Sequence, residues 1–518
     1  MCFFNTKEAP MRFLTMGSLL TPLKRNNQEI QKTMRNYRTT LLCAAFALLS
    51  AFTANAADNP GKPNILFISI DDMNDWIGCM GHPRVKTPHI DALAKRGVNF
   101  TNAHCQAPIC NPSRVSMLLG KLPSTTGHYF LAPRFREVEV TKDSETLFQF
   151  FRSHGYYLST MGKIFHGRVD ADSFDHVEKS RGWRRGTEKL RYNVEGSHPL
   201  WDWGIVDVPD EEQRDYQTAA WAAGEIPKLA KAEKPFFLAV GFALPHVPLY
   251  VSKKWFDLYP LDEIQMPLAP TDDLSDVPKI GIDLSLNLTA PRDEWMRKTK
   301  EDIHMVRAYL AANSFVDQCV GLILDSLQES GAEENTVVVL WSDHGFHLGE
   351  KKKWAKRGLW ERTTRVPLIF AGPGIAENVV CPEPVGLIDV WPTLSALSKL
   401  PVKSDLEGES LVPQLVDPTV ERADPSITTF GKDNHSIRSK RFRYTRYYDG
   451  SEEFYDHQND SNELINLASN PEYKKQIEEH KKWLPSVNAE PVPNSRGSDS
   501  PLYGEDKGLK AAMKQKKK

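Results

Sequence analysis

Cys110-Asn111-Pro112-Ser113-Arg114, continued by Val115-Ser116-Met117-Leu118-Leu119-Gly120-Lys121, sets a cysteine at the start of a predicted helix. Pro112 suits the first helical turn, where a missing N–H costs nothing and the fixed φ already matches the helix. Cys110 is thereby expected at a helix N-terminus, where unsatisfied N–H groups and the positive end of the dipole favour an anion. Arg114, one turn on, can reach back toward it. The position suits a tetrahedral oxyanion. A thiol there is open to two readings, a nucleophile of low pKa or a buried cysteine that only opens a helix.

Outward from this segment, apolar runs end in polar residues. Asn64–Ile70 runs into Asp71-Asp72, residues 236–240 run toward His246, and residues 336–341 run into Ser342-Asp343-His344-Gly345. Such runs read as parallel strands with functional groups at their carboxyl ends. Residues 366–370, closed by Gly372-Pro373-Gly374, add a strand, and residues 306–330 form the clearest helical pattern between strands. The alternation predicts an α/β sandwich with its site at the carboxyl edge of the sheet. After about Pro401 the pattern changes. A strand-like stretch at 442–448 precedes a helical run from 471 to 483, which together predict a smaller α+β domain.

Residues 1–56 read differently. Arg35 and Arg38 precede an apolar run at 41–52 that ends in Ala54-Asn55-Ala56, the charged, apolar and small-residue regions of a secretory signal peptide cleaved near Ala56. Met34 offers a start codon that would make residues 1–33 an upstream extension. The apolar run is too short to span a bilayer and no other segment approaches its length, so the expectation is a secreted or periplasmic chain with no transmembrane segment. The remainder divides into 57–420, a catalytic domain, 421–487, the smaller domain, and 488–518, a flexible tail rich in Pro, Ser and Gly. With 25% charged and 40% hydrophobic residues in 518, the composition is that of an ordinary globular protein too long for one core. Removing residues 1–56 takes away seven Lys/Arg and two Asp/Glu and moves the formal net charge from −2 to −7, which argues against a nucleic-acid partner. Cys79, Cys105, Cys110, Cys319 and Cys381 then remain, at spacings of neither a zinc site nor a disulfide framework.

Asp71-Asp72 at one predicted strand end and Asp343-His344 at another are suited to gather one hard divalent ion such as Ca²⁺ or Mg²⁺. Taken singly, each Asp reads as a turn or cap. Met161-Gly162-Lys163-Ile164-Phe165-His166 places a cation and an imidazole three residues apart, close enough to address one small anion. Taken singly, they read as a solvated lysine and an ordinary histidine. Leu244-Pro245-His246-Val247-Pro248 follows a strand, and Lys351 to Lys356 follow the Asp343-His344 segment.

In this order the motifs resemble the type I sulfatases, and among them the iduronate-2-sulfatase branch with its bacterial relatives. In that family the cysteine of C-x-P-S-R is oxidised to Cα-formylglycine by a formylglycine-generating or an anaerobic sulfatase-maturing enzyme. The family's following L-T-G-R stands here as Leu118-Leu119-Gly120-Lys121. The resemblance runs over about residues 63–468. It includes Gly78-Cys79-Met80-Gly81 and Glu453-Phe454-Tyr455-Asp456-His457 followed by Asn466-Leu467-Ala468. It implies an alkaline-phosphatase-like α/β sandwich with a large mixed, mostly parallel sheet. It further implies Ca²⁺, with Mg²⁺ second, on Asp71, Asp72, Cys110, Asp343 and His344, and sulfate contacts from Lys163, His246 and Lys356. Lys351 would then line the rim, with Lys352 and Lys353 solvated. Leu244 stands where the iduronate enzyme carries a lysine, which removes a cation that would face a uronate carboxylate.

The implied activity is that of a sulfuric ester hydrolase acting on a sulfated carbohydrate. The hydrated aldehyde at position 110 attacks sulfur, Arg114 orients it, and Lys163 and Lys356 neutralise the sulfate oxygens. His246 protonates the leaving oxygen and His166 serves as base when sulfate departs. A phosphodiesterase or phosphonate hydrolase of the alkaline phosphatase superfamily, and a catalytically silent glycan-binding homologue, remain as alternatives. Residues 181–192 hold five cations, Arg181, Arg184, Arg185, Lys189 and Arg191, with Trp183 and Tyr192. They read either as a surface loop or as a contact to sugar beyond the sulfate pocket.

Overall fold

The computed structural model describes residues 61–186, 188–195 and 197–495; the predicted signal peptide and tail residues 496–518 lie outside them. The large sheet is built from β1 (Asn64–Ile70), β2 (Gly97–Phe100), β3 (Tyr157–Gly162), β4 (His176–Val177), β5 (Phe236–Phe242), β6 (Thr336–Ser342), β7 (Leu368–Ala371) and β8 (Val379–Cys381). Their order is β8-β2-β7-β6-β1-β5-β3-β4. β1 lies between β5 and β6, parallel to both, with Ile70 opposite Phe242 and Ser342. Asp71-Asp72, Ala243 and Asp343 consequently leave the sheet side by side at its carboxyl edge.

Alternate residues of β1 supply the two cores, as the two-residue period of a strand requires. Leu66, Ile68 and Ile70 pack under two helices, α2 (Arg214–Leu229) and α3 (Glu301–Glu329), through residues such as Ile226, Ala312 and Phe315. Ile65 and Phe67 face the opposite layer, where α1 (Cys110–Leu119) contributes Val115, Met117 and Leu118. The sandwich is the alkaline-phosphatase-like fold.

One strand makes the sheet mixed, as the resemblance implied. β7 runs antiparallel to both β6 and β2, while every other pair in the sheet is parallel. Residues 343–367 stay at the carboxyl edge and contain no helix long enough to carry the chain back across the sheet, so the next strand must start where β6 ended.

A second, antiparallel sheet follows in chain order, β9 (Ser426–Thr429), β10 (His435–Arg438), β11 (Phe442–Arg446) and β12 (Glu452–Asp456). Ile437, Tyr444 and Phe454 of this sheet pack with Ile477 of α4 (Lys474–Lys481). The segment read as the start of a flexible tail is tied down instead. Asn488 Oδ1 lies 2.7 Å from His435 Nε2, and Ala489 N and Val492 N donate to the Ser124 and Gly127 carbonyls. Cys79, Cys105, Cys110, Cys319 and Cys381 are all unpaired. No helix among the described residues is long and apolar enough to cross a membrane.

Gly162 ends β3 opposite Gly241, the penultimate residue of β5. A Cβ on Gly162 would stand 1.9 Å from the Gly241 carbonyl oxygen, and one on Gly241 would stand 2.3 Å from the Lys163 backbone. This close approach lets Lys163 N donate to Gly241 O at 2.9 Å and fixes where the Lys163 side chain starts. Gly241→Ala should lower unfolding free energy by about 1–3 kcal/mol through overpacking, read by urea denaturation; a variant as stable as its parent would contradict the close approach.

Candidate functional site

The site is assembled from four strand ends and one helix start. Asp71-Asp72 follow β1, Lys163 follows β3, His246 follows β5 and Asp343-His344 follow β6, while Cys110 is the first residue of α1, after the extended Ile109. Arg114, one turn into α1 and 1% exposed, enters this group from below. Its Nε donates to Asp343 Oδ2 at 2.8 Å, and one terminal nitrogen reaches Ser69 Oγ at 2.8 Å, Lys163 O at 2.7 Å and Ile164 O at 3.0 Å. The other terminal nitrogen reaches Asp71 Oδ1 at 3.3 Å. These bonds frame Cys110 and give Arg114 a positioning role among the carboxylates and backbone around it.

Cys110 Sγ lies 3.1 Å from Lys356 Nζ, 3.2 Å from His344 Nε2, 3.8 Å from Lys163 Nζ and 3.9 Å from Asp72 Oδ1. Lys356 Nζ also meets both Asp72 oxygens, at 2.8 and 3.1 Å, and Lys163 Nζ donates to Asp71 Oδ2. His344 Nδ1 faces the Gly345 carbonyl at 3.0 Å, which turns Nε2 inward, 3.4 Å from Asp72 Oδ1. Asp72 takes the left-handed backbone, φ 63°, a conformation an Asp tolerates better than most residues. Its N donates to Asp343 Oδ1 at 3.1 Å, and Tyr309 OH donates to its carbonyl at 2.7 Å.

Two supporting residues were not singled out in the sequence. Tyr309 lies within the apolar pattern of α3 and reads there as core; only its hydroxyl, which also accepts from Asn74 N, betrays its use. Asp215 sits in the first turn of α2, where an acid needs no reason beyond the helix dipole. It is 4% exposed and spends both carboxylate oxygens on Ala243 N and Leu244 N, at 2.7–3.0 Å, so it fixes the turn that delivers His246.

Burial and charge oppose one another here. Burial would raise Asp71, but Lys163, His246 and Arg114 hold it well below the usual carboxylate range, and His246 and Lys356 lower Asp72 in the same way. Asp343 is raised, because burial outweighs Arg114. Burial also pushes the Cys110 thiol up to about 12 despite Lys163 and Lys356, so an unmodified Cys110 keeps its proton at neutral pH. His246 is pushed down to about 4 and half-buried His166 to about 3, both by burial first, so both rings are neutral. His246 Nδ1 faces the Val247 carbonyl at 2.6 Å, which leaves Nε2 for the site. His166 lies beside Lys163 but makes no hydrogen bond to the other site residues described here.

Asp71, Cys110, Asp343 and His344 offer ligand atoms all within 4.8 Å of one another, and Asp71, Asp72, Cys110 and His246 form an overlapping group. Three carboxylates, fully buried and oxygen-rich, are the donor set a hard divalent cation needs. A second group, Glu361, His457 and Glu463, is taken up by arginines. Arg438 Nε lies 3.0 Å from Glu361 and Arg443 Nε 2.5 Å from Glu463.

Three expectations require correction. Lys351 does not line a rim, and Lys353 is not solvated. Lys351 is 3% exposed and paired with Asp273 at 2.7 Å, and Lys353, 9% exposed, donates to the Ser285 carbonyl; only Lys352 is exposed. Tyr192 is unavailable to a sugar, because it is buried and stacked on Trp203 with ring centres 5.8 Å apart. The basic run alternates structural and exposed lysines because the turn at Lys351 and Lys352 has positive φ at both residues and so points neighbours in different directions.

Comparison with known proteins agrees with this geometry. The Sulfatase family model matches residues 63–400, and the model for the C-terminal part of N-sulphoglucosamine sulphohydrolase matches 349–490. A sulfatase from Formosa agariphila is 41% identical over 463 residues, covering 86% of this chain and 91% of that protein. The iduronate 2-sulfatase of Mus musculus is 30% identical over 427 residues, covering 71% and 74%. Among solved structures, phosphonate monoester hydrolase of Agrobacterium radiobacter shares the fold with a TM-score of 0.67 at 20% identity, covering 81% of this chain and 94% of its own.

Removing Arg114 would strand two buried carboxylates. Arg114→Ala should therefore cost about 3–5 kcal/mol in chemical denaturation; a loss below about 1 kcal/mol, the scale of an exposed ion pair, would show that the arginine does not hold the site together.

Proposed function

Because the chain belongs to the sulfatase family and is a sulfuric ester hydrolase, we propose that it removes sulfate from a sulfated carbohydrate, with formylglycine derived from Cys110 and one Ca²⁺ ion at the site. The observation that carries this reading is the cage around Cys110 Sγ, where two ammonium groups, Lys163 and Lys356, and the His344 ring all lie within 3.8 Å. Asp71, Asp72, Asp343 and His344, with residue 110, would hold the cation, which supplies Lewis-acid polarisation of a sulfate oxygen. The aldehyde, as its hydrate, supplies two hydroxyls on one carbon, one to attack sulfur and one to release sulfate afterwards.

Lys163 and Lys356 bind the sulfate oxygens and stabilise the charge that develops on them. They are free to do so once a cation replaces them on Asp71 and Asp72. Arg114 keeps Asp71 and Asp343 in place throughout. His246, neutral in the free site, takes up a proton from solvent as the anion binds beside it and delivers it to the leaving sugar oxygen from Nε2, while the attacking hydroxyl gives its proton to solvent. His166, neutral because burial and Lys163 hold it so, accepts the proton of the second hydroxyl. A cysteine-nucleophile mechanism would leave the buried carboxylates Asp71, Asp72 and Asp343 without a role.

The remaining assignments rest on sequence. Residues 1–56 direct the chain to the periplasm or the exterior, a maturing enzyme meets it on the way, and the catalytic domain runs over 57–420 with the smaller one over 421–487. The sugar class is favoured by the relatives' names, an iduronate 2-sulfatase among them.

The test combines mass and turnover. Protein made with a maturation enzyme should show the tryptic peptide 97–114 with aldehyde in place of thiol. It should release sulfate from an aryl sulfate far faster than it cleaves an aryl phosphate diester. Lys356→Ala should lose more than ~10²-fold in turnover, the scale of one transition-state charge contact. A fully alkylatable thiol in an active preparation, a preference for the phosphate diester, or a wild-type rate in Lys356→Ala would each overturn the proposal.

A further inference from the structure

A cleft beside His246 is lined by Trp183, Arg184, Arg214, Leu244 and Tyr250. Two of these residues are arginines, and among the described residues neither forms an ion pair with a carboxylate. Arg214 Nε donates to Ser180 Oγ at 2.8 Å. Elsewhere in the molecule, arginines near the site are matched, Arg114 by Asp71 and Asp343 and Arg362 by Asp75 and Glu350. Asp215, which also lines the cleft, accepts from Ala243 N and Leu244 N and forms no ion pair with either arginine, although its charge acts on both.

The backbone that carries both arginines is held, while the Arg184 side chain is exposed. Trp183 N donates to Glu212 O at 2.7 Å and Arg214 N donates to Trp183 O at 2.9 Å, so a short backbone ladder fixes Arg184 next to the start of α2. The Trp183 and Tyr250 rings lie 6.0 Å apart across the cleft. Arg184, whose side chain is exposed, is close enough to Asp71 and Asp215 to feel their charge, which places it at the margin of the reaction centre. Two like charges kept together with no ion-pair partner among the described residues, in a chain whose net charge is −7 without residues 1–56, are stabilised by an arriving anion. Fixing their backbone beforehand spares part of the ordering cost of binding.

We propose that Arg184 and Arg214 form a subsite for a second anionic group of the substrate sugar, a carboxylate or a further sulfate, beside the sulfate cleaved at position 110. The inference rests on the sulfatase reading above. It also gives Leu244 a physical context: the cation absent from the strand end is supplied to the same cleft by a separate segment of chain.

Binding separates this inference from the reaction itself. Cys110→Ala protein, which cannot turn over, is titrated calorimetrically with a monosaccharide bearing one sulfate, with the same sugar bearing sulfate and carboxylate, and with a disulfated sugar. One of the second anions, or both, should tighten binding about tenfold or more, the size of one charge-assisted contact, and whichever does so identifies its source. In Arg184→Gln and in Arg214→Gln, each made on the Cys110→Ala background, that gain should fall below about threefold, and Arg184→Lys should restore part of it. Equal affinity for singly and doubly anionic sugars, or a gain that survives both glutamine substitutions, would overturn the subsite. Weakening of all three sugars by the same factor would do so too, since it would mark the arginines as structural. Failure of the unaltered enzyme to release sulfate from an aryl sulfate would instead strike the sulfatase reading, leaving the binding comparison to stand by itself.

Discussion

The interaction on which the rest depends is the buried fan of Arg114, one guanidinium joined to Asp343, Asp71, Ser69 and the backbone of Lys163 and Ile164. It ties the ends of β1, β3 and β6 to the first turn of α1. A carboxylate taken out of water costs several kcal/mol unless it is paired, and this site buries three of them, Asp71, Asp72 and Asp343. The arrangement is sustainable because Arg114, Lys163 and Lys356 stand among them, and because each carboxylate also meets a polar hydrogen.

Much of this was legible in the chain. β1 was legible because seven successive residues, five of them apolar, run straight into Asp71-Asp72, which places those polar residues at a strand end. The helix start at Cys110 was legible from Pro112 and the apolar spacing that follows. Lys163, His246 and Lys356 do converge on Cys110, Asp71 and Asp72, but no periodicity shows that. Their convergence comes from strand order, which sequence states only through resemblance.

What was not legible has a common cause. Tyr309, Asp215 and the inward lysines Lys351 and Lys353 look like core, cap and solvated charge because their local sequence satisfies those roles. Their use is decided by elements far away in the chain, such as the Ala243-Leu244 backbone for Asp215 or Asp273 for Lys351. The antiparallel β7 was hidden for the same reason, since its direction follows from where the preceding loop stays and not from its own residues. In the 181–192 segment the sequence offered two aromatics to a ligand; tertiary packing took Tyr192 into the core and left Trp183 at the cleft.

The site as described commits Lys163 and Lys356 to Asp71 and Asp72, and the central claim is that a divalent cation and a sulfate displace those contacts together. The most direct measurement is anomalous diffraction from crystals of the matured protein grown with calcium and sulfate. Calcium density is predicted among Asp71, Asp72, Asp343 and His344, with a sulfate touching the ammonium groups of Lys163 and Lys356 beside residue 110. Lysine–aspartate contacts left intact, with both ions bound elsewhere or absent, would contradict it.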